Sequence, residues 1–225
     1  MFLKVAELAD AAGISEKTVL FWIKDMGLPA HKQDDRYRIN RVDLLEWATT
    51  HGITIPPEIF VVNNETNRLA TISEALQHGG IFYELPGATP ESALREVVFR
   101  LHLPPSLDPE FLLQTLLARE ALGSTAFGNG IAIPHVRNPI VGQTGESAIS
   151  LCFLKNPIDF DAVDGQPVTI LFTLVTPNVK EHLHLLAKLA FLLHDQPFQE
   201  LLHRPASETE IMTAIRALEE TIPWR

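Results

Sequence analysis

Arg119-Glu120-Ala121-Leu122-Gly123-Ser124-Thr125-Ala126-Phe127-Gly128-Asn129-Gly130-Ile131-Ala132-Ile133-Pro134-His135 is the stretch on which the reading of this 225-residue chain turns. It ends a helix, crosses a glycine-rich loop and delivers a histidine at the end of a short apolar strand. Gly123, Gly128 and Gly130 permit positive φ and close backbone approach, and Pro134 fixes the chain one residue before the imidazole. His135 is therefore expected to be rigidly presented, which suits a reacting group. A neutral imidazole offers one nitrogen as nucleophile while a hydrogen bond orients the other, and a nearby guanidinium neutralises the oxygens of a moving phosphoryl group. Arg119 is the candidate guanidinium.

Around this stretch, apolar strand candidates at Gly130–Pro134, Ala148–Leu154 and Val168–Val175 alternate with helical patterns. That alternation predicts an α/β (α+β) fold, one mixed sheet flanked by helices. Helix starts are marked by Thr89-Pro90 and Asp108-Pro109, each a cap before a first-turn proline. Asn178 with Glu181, and Ser207 with Glu210, read as capping boxes. Cys152 is the single cysteine, so no intramolecular disulfide or cysteine-based zinc cluster is expected, and its strand-like apolar setting favours a buried thiol.

Towards the N-terminus, Ile55-Pro56-Pro57-Glu58 and the polar run Asn63-Asn64-Glu65-Thr66-Asn67 combine helix breakers with turn formers. They predict a linker at 56–68 between a module over 1–55 and a larger domain over 69–220. In the small module, helix Lys4–Ala12 and helix Ser15–Met26 are joined by Gly13-Ile14, with Ser15 as cap and Gly27 as stop. Val19, Trp22, Ile23 and Met26 form one apolar face, leaving Lys17, Thr18, Phe21 and Lys24 outside it. His31-Lys32-Gln33-Asp34-Asp35-Arg36-Tyr37-Arg38 reads as a hairpin flanked by bases, and Asn40 to Asp43 starts a helix over 41–50. Helix, turn, helix, wing, helix is the resulting order, with Trp22 and Trp47 expected in the core.

At 46% hydrophobic and 20% charged residues, the composition excludes a disordered chain. Runs such as Val168–Val175 fall well short of the roughly 20 apolar residues that cross a bilayer, and Met1–Leu8 lacks the core of a signal peptide. No membrane insertion and a cytoplasmic location are expected. The net charge of −10 is uneven: residues 1–60 hold seven Lys/Arg against nine Asp/Glu, and residues 61–225 hold eleven against nineteen. A field of that sign repels nucleic acid unless basic groups are concentrated locally, which confines any such contact to the small module.

The Arg119-to-His135 stretch, together with Asp159-Phe160-Asp161-Ala162-Val163-Asp164-Gly165-Gln166-Pro167-Val168 and Glu181-His182-Leu183-His184-Leu185-Leu186-Ala187, resembles the fructose/mannitol/nitrogen-type IIA domain of the bacterial phosphotransferase system, above all its nitrogen-regulatory branch. The likeness runs from about Leu69 to Leu218. It implies that His135 accepts a phosphoryl group from the carrier HPr, or its nitrogen-branch counterpart, and that Arg119 and His182 support the site. Residues 1–52 resemble the excisionase or MerR-like winged helix-turn-helix family, on Val5–Ile14, Ser15 to Ile23, Gly27-Leu28-Pro29, Arg36 to Ile39 and Asp43 to Trp47. That likeness implies a second helix meeting a major groove through Lys17, Thr18 and Lys24, with Lys32, Arg36 and Arg38 of the wing on phosphates. With so few basic groups, dimerisation onto paired half-sites is a natural supplement.

The fusion suggests a regulator in which phosphorylation of His135 alters the contacts of the acidic domain and so changes transcription. The alternative is a sugar-uptake phosphocarrier that passes the group to a separate IIB component. A third reading is a binding module whose histidine is not phosphorylated. No cofactor is implied. A zinc site from His135, His182 and Asp161 has no recognised spacing, and Asp159, Asp161 and Asp164 next to Pro157, Gly165 and Pro167 read as a solvated turn. Ser124 and Thr125 stand equally as phosphoryl donors or as turn residues. His184, two positions from His182 on a helix, faces away from it.

Overall fold

The computed structural model describes residues 2–33, 36–53, 55–60, 68–136 and 145–221. The chain opens with β1 (Phe2–Lys4), α1 (Val5–Ala12), α2 (Glu16–Asp25), β2 (His31–Gln33), β3 (Arg36–Asn40) and α3 (Arg41–Thr50). Ser15 caps α2 by accepting the Thr18 N–H at 3.1 Å, and the chain leaves that helix through Gly27 at φ +74°. β2 and β3 pair antiparallel with His31 opposite Arg38; Asp34 and Asp35, at the expected hairpin turn, lie outside the described residues. β1 pairs with the other edge of β3, Leu3 opposite Ile39, and takes in Lys4, where the first helix was expected to begin. Trp22 and Trp47 pack at 5.3 Å between ring centroids, and the Trp47 indole N–H donates to the Met26 carbonyl at 2.9 Å. Both tryptophans belong to the core.

The linker expected at 56–68 is only partly so. Its start is a 3-10 helix, Pro57–Phe60, in which Ile59 and Phe60 are buried. The prolines end regular α-helix, as read, but two large apolar side chains beside them gain more from burial than from exposure. This turn packs between α1 and α7 (Val179–Leu193), and Arg41 Nε donates to the Ile59 carbonyl at 2.6 Å. Residues 61–67 lie outside the described residues.

The larger domain runs α4 (Ile72–Gly79), β4 (Ile81–Leu85), α5 (Pro90–Arg100), α6 (Pro109–Glu120), β5 (Ala126–Gly128), β6 (Ile131–Ala132), β7 (Ala148–Ile158), β8 (Val168–Val175), α7, α8 (Gln196–Leu202) and α9 (Glu208–Thr221). Its sheet is mixed, in the order β4-β7-β8-β6-β5: β4 lies parallel to β7 and β6 parallel to β8, while β7–β8 and β5–β6 are antiparallel. β8 is buried on both faces, and its period of two sorts the residues: Ile170, Phe172 and Leu174 join a core with α7 and α9, while Leu171 and Val175 join one with α5 and α6. Cys152 of β7 lies in the second core, where burial pushes its thiol pKa up to about 12. The first core continues without a break into the N-terminal module.

Thr89, Asp108 and Asn178 cap their helices as expected, accepting the N–H of Ser92, Glu110 and Glu181 at 3.2, 3.0 and 2.9 Å. Ser207 and Glu210 bond reciprocally at 2.9 and 3.3 Å. The strand expected over Gly130–Pro134 is shorter, Ile131–Ala132, because Asn129 (φ +53°) and Gly130 (φ +72°) form the two-residue turn of a β5–β6 hairpin. At the end of α4, Gly79 lies so near β7 that a methyl group there would meet the Ile149 carbonyl oxygen at 2.1 Å. Among the described residues no helix is long and apolar enough to cross a membrane.

Candidate functional site

Beyond β6 the chain stays alongside β8: the Leu174 N–H donates to the Pro134 carbonyl at 2.9 Å, and His135 forms a single parallel bridge with Leu174. His135 thus stands at the carboxyl ends of two parallel strands, only 4% exposed. Its Nδ1 faces the Ile133 carbonyl at 2.7 Å, a contact that assigns the proton to Nδ1 and turns Nε2 towards the site. The ring is held by its own backbone two residues back, which explains why proline is useful at 134.

Arg119 is delivered by the last turn of α6 and is buried. Nη1 donates to the Gly123 carbonyl at 2.9 Å, which fixes the guanidinium against the loop that follows its own helix. His182, in the first turn of α7, is fully buried, with its ring centroid 5.4 Å from that of His135. Its Nδ1 lies 3.5 Å from the Thr176 hydroxyl. Burial lowers the His182 pKa to about 3, and the neighbouring His135 and Arg119 add to the shift against the opposing pull of Glu46. Two buried nitrogens at this site, Nε of Arg119 and Nε2 of His182, have no hydrogen-bond partner among the described residues. The structure therefore brings His135, Arg119 and His182 together.

Glu46 of α3 is the residue the sequence reading missed. Its carboxylate reaches out of the N-terminal module to within 3.3 Å of His135 Nε2 and 3.4 Å of Arg119 Nη2. A signal was present: Leu44, Leu45, Trp47 and Ala48 are all buried, too wide an apolar arc for a helix that packs only inside its own small domain. Part of that arc lies on α7, and a small cavity between them is lined by Leu45, Ala48, Ala187 and Ala190. Beside it, Glu46, Thr49, Arg119, Thr125, His135 and Leu186 enclose a space of about 10 Å³ for a water-sized sphere, room for one water at most. A cleft of about 280 Å³ leads from solvent to Glu46 and Arg119, lined also by Pro29, Trp47, Leu122 and Ser124.

Other candidates separate cleanly. His184 is hydrogen-bonded to the Ala70 backbone, and burial lowers its pKa to about 4. Ser124 donates to the Phe160 carbonyl and Thr125 to Glu120 Oε2, so both hydroxyls are engaged by neighbouring groups. Asp159 accepts the Asp161 N–H, and Asp164 accepts those of Asn129 and Gln166, as turn-forming acids do. Among the described residues no three His, Cys, Asp or Glu side chains converge as metal ligands. In the small module Lys17, Lys24, Lys32 and Arg36 are exposed. Thr18 is half-buried with its hydroxyl 2.8 Å from Ser15 Oγ, and Arg38 is half-buried in β3.

A mixed sheet with a buried, oriented histidine at its strand ends, preceded by a winged helix-turn-helix, is a two-module architecture with known counterparts to both parts. Residues 74–217 match the family described as "Phosphoenolpyruvate-dependent sugar phosphotransferase system, EIIA 2", and residues 2–52 match "Helix-turn-helix domain". The chain belongs to this phosphotransferase EIIA family. It is similar to the nitrogen regulatory protein of Pseudomonas aeruginosa, 40% identical over 126 residues that make up 54% of this chain and 79% of that one. The Escherichia coli nitrogen regulatory protein is 39% identical over 52% of this chain and 71% of its own. Among solved structures, the nitrogen regulatory protein IIA-Ntr of Neisseria meningitidis superposes with a TM-score of 0.57 at 31% identity, covering 64% of this chain and 98% of that one.

Proposed function

We propose that the chain is a phosphohistidine-dependent regulator of the nitrogen-regulatory branch of a phosphotransferase relay, in which the phosphorylation state of His135 governs what the N-terminal module does on DNA. The observation that carries this is the fixing of His135 by the Ile133 carbonyl, which leaves Nε2 beside the buried Arg119 guanidinium. An HPr-type carrier presents a phosphoryl group on its own histidine. The Nε2 lone pair of neutral His135 forms the new N–P bond, the old N–P bond breaks, and its electron pair returns to the donor imidazole. Nδ1 keeps its proton and its hydrogen bond throughout. Arg119 Nη2 and Nε and the Nε2–H tautomer of His182 supply donors to the phosphoryl oxygens, and their present lack of protein partners at two of these atoms supports that role.

On this reading the downstream target is transcription, through Lys17, Thr18 and Lys24 of α2 in the major groove and Lys32, Arg36 and Arg38 on phosphates, with a homodimer on paired half-sites and a cytoplasmic location. A second reading, in which His135 passes its phosphate to a separate IIB component, is favoured by 32% identity to a protein of Haloferax volcanii named "PTS system fructose-specific EIIA component". The test is phosphotransfer from a phosphorylated HPr-type carrier to wild type and His135→Ala at neutral pH. Labelling confined to wild type, with a change in DNA gel shift on phosphorylation, supports the regulator. Labelling that passes on to a IIB protein and leaves DNA binding unaltered supports the transport reading, and no labelling from any carrier overturns both.

A further inference from the structure

Glu46 is the only carboxylate recorded within ion-pair distance of His135 or Arg119 among the described residues, and it comes from the other module. We propose that Glu46 is a tethered stand-in for the phosphoryl group: helix α3 plugs the histidine site, and phosphorylation of His135 and docking of the N-terminal module exclude each other. The proposal rests on the reading of His135 as acceptor.

Three observations carry it. The first is chemical. An oxyanion lies between His135 Nε2 and Arg119 Nη2, the place where the oxygens of a phosphoryl group on Nε2 would sit. With Nδ1–H committed to the Ile133 carbonyl, Nε2 is the nitrogen left for phosphorus, and the Glu46 carboxylate stands 3.3 Å from it, across the approach of a donor. The second is steric. The space around His135, Glu46 and Arg119 holds one water at most, and the wider cleft beside it is lined by Glu46 and Arg119 but not by His135, so a phosphoryl group on Nε2 lacks room while Glu46 keeps its place. The third is placement. Leu45, Ala48 and Thr49 line a small cavity against α7, and Arg41 is bonded to Ile59, so the helix that carries Glu46 is seated on the larger domain at more than one point.

A phosphoryl group carries close to two negative charges at neutral pH and competes with Glu46 for Arg119 while repelling it. Because the coupling is reciprocal, whatever holds the N-terminal module in its seated position disfavours the phosphorylated state by the same factor by which phosphate disfavours the seated one. The fused module thus acts as its own site's competitor.

The experiment compares full-length wild type, Glu46→Gln and Glu46→Ala in two measurements. In the first, diethyl pyrocarbonate is applied at neutral pH and carbethoxylation of His135 is followed by peptide mass spectrometry, which needs no relay protein. In the second, the initial rate of phosphotransfer from a phosphorylated HPr-type carrier is measured, with small-angle X-ray scattering of wild type before and after labelling. The expected result is a rise of about tenfold or more in His135 modification and in transfer rate for both variants, within the range usual for coupled sites, and a larger radius of gyration on phosphorylation. Equal modification of His135 in all three proteins overturns the plug. Faster modification in the variants with no phosphotransfer in any of them retains the plug and overturns the acceptor reading instead.

Discussion

The imidazoles of His135 and His182 lie 5.4 Å apart at an interplanar angle of 46°, with the second fully buried and driven to a pKa of about 3. The unfolded chain takes a proton on His182 from about pH 6.5, whereas the folded chain does so only near 3. Stability is therefore complete above about pH 6.5 and is lost as the pH falls through that window. At pH 5 the loss is about 2 kcal/mol from this residue alone. Urea unfolding of wild type and His182→Gln at pH 7 and pH 5 should show the variant losing less on acidification. Equal losses would remove His182 as the cause. His184, held near 4 by burial, contributes a similar and separable slope.

Arg119→Lys keeps the charge and loses the planar fork that bonds Gly123 with one nitrogen and faces the site with another. Labelling of His135 by a phosphorylated carrier is expected to slow by about 100-fold, the usual cost of removing a positioned oxyanion donor. Circular dichroism should remain that of wild type, since Arg119 sits in the last turn of α6 and the change keeps a long cationic side chain there. A rate within twofold of wild type would show that charge alone suffices.

Gly79→Ala places a methyl group against the Ile149 backbone, and neither α4 nor β7 yields easily there. The expected destabilisation is about 3 kcal/mol, at the upper end for overpacking, read as a lower urea midpoint with unchanged slope. Gly13→Ala meets nothing within 4 Å and strains only the positive φ of its turn, so it should cost about 1 kcal/mol. Equal costs at the two positions would show that α4 shifts away from the sheet.

Lys32→Ala and Arg36→Ala should each weaken DNA binding and flatten the dependence of log affinity on log salt by about 0.9, as expected for the loss of one phosphate contact. A salt dependence unchanged in both variants would place the DNA contact elsewhere, or assign the module to a protein partner.

Much of this molecule is legible in its sequence because the informative features are local. Caps at Thr89, Asp108 and Asn178 are set by side chains bonding within three residues, and the histidine site is announced by an arginine, a glycine-rich turn and a proline in one continuous segment. The hairpin turn Asn129-Gly130 is equally legible, since that pair favours the positive φ values at both positions, and it takes Gly130 out of the strand expected over Gly130–Pro134. What could not be read locally depends on partners far away in the chain. Ile59 and Phe60 look like linker residues until α1 and α7 are placed beside them, and Glu46 looks like a solvated helix residue until a histidine 89 positions on arrives against it.

Cys152, the single sulfhydryl of the chain, sits at the centre of β7 with its proton held tightly by burial. A thiol in that state is invisible to alkylating reagents while the second core is closed, and becomes reactive only when α5 and α6 lift from the sheet or the sheet itself parts. The protein thus carries an internal stopwatch: the rate at which iodoacetamide labels it counts openings of the second core, separately from any movement of the N-terminal module, which packs in the other one.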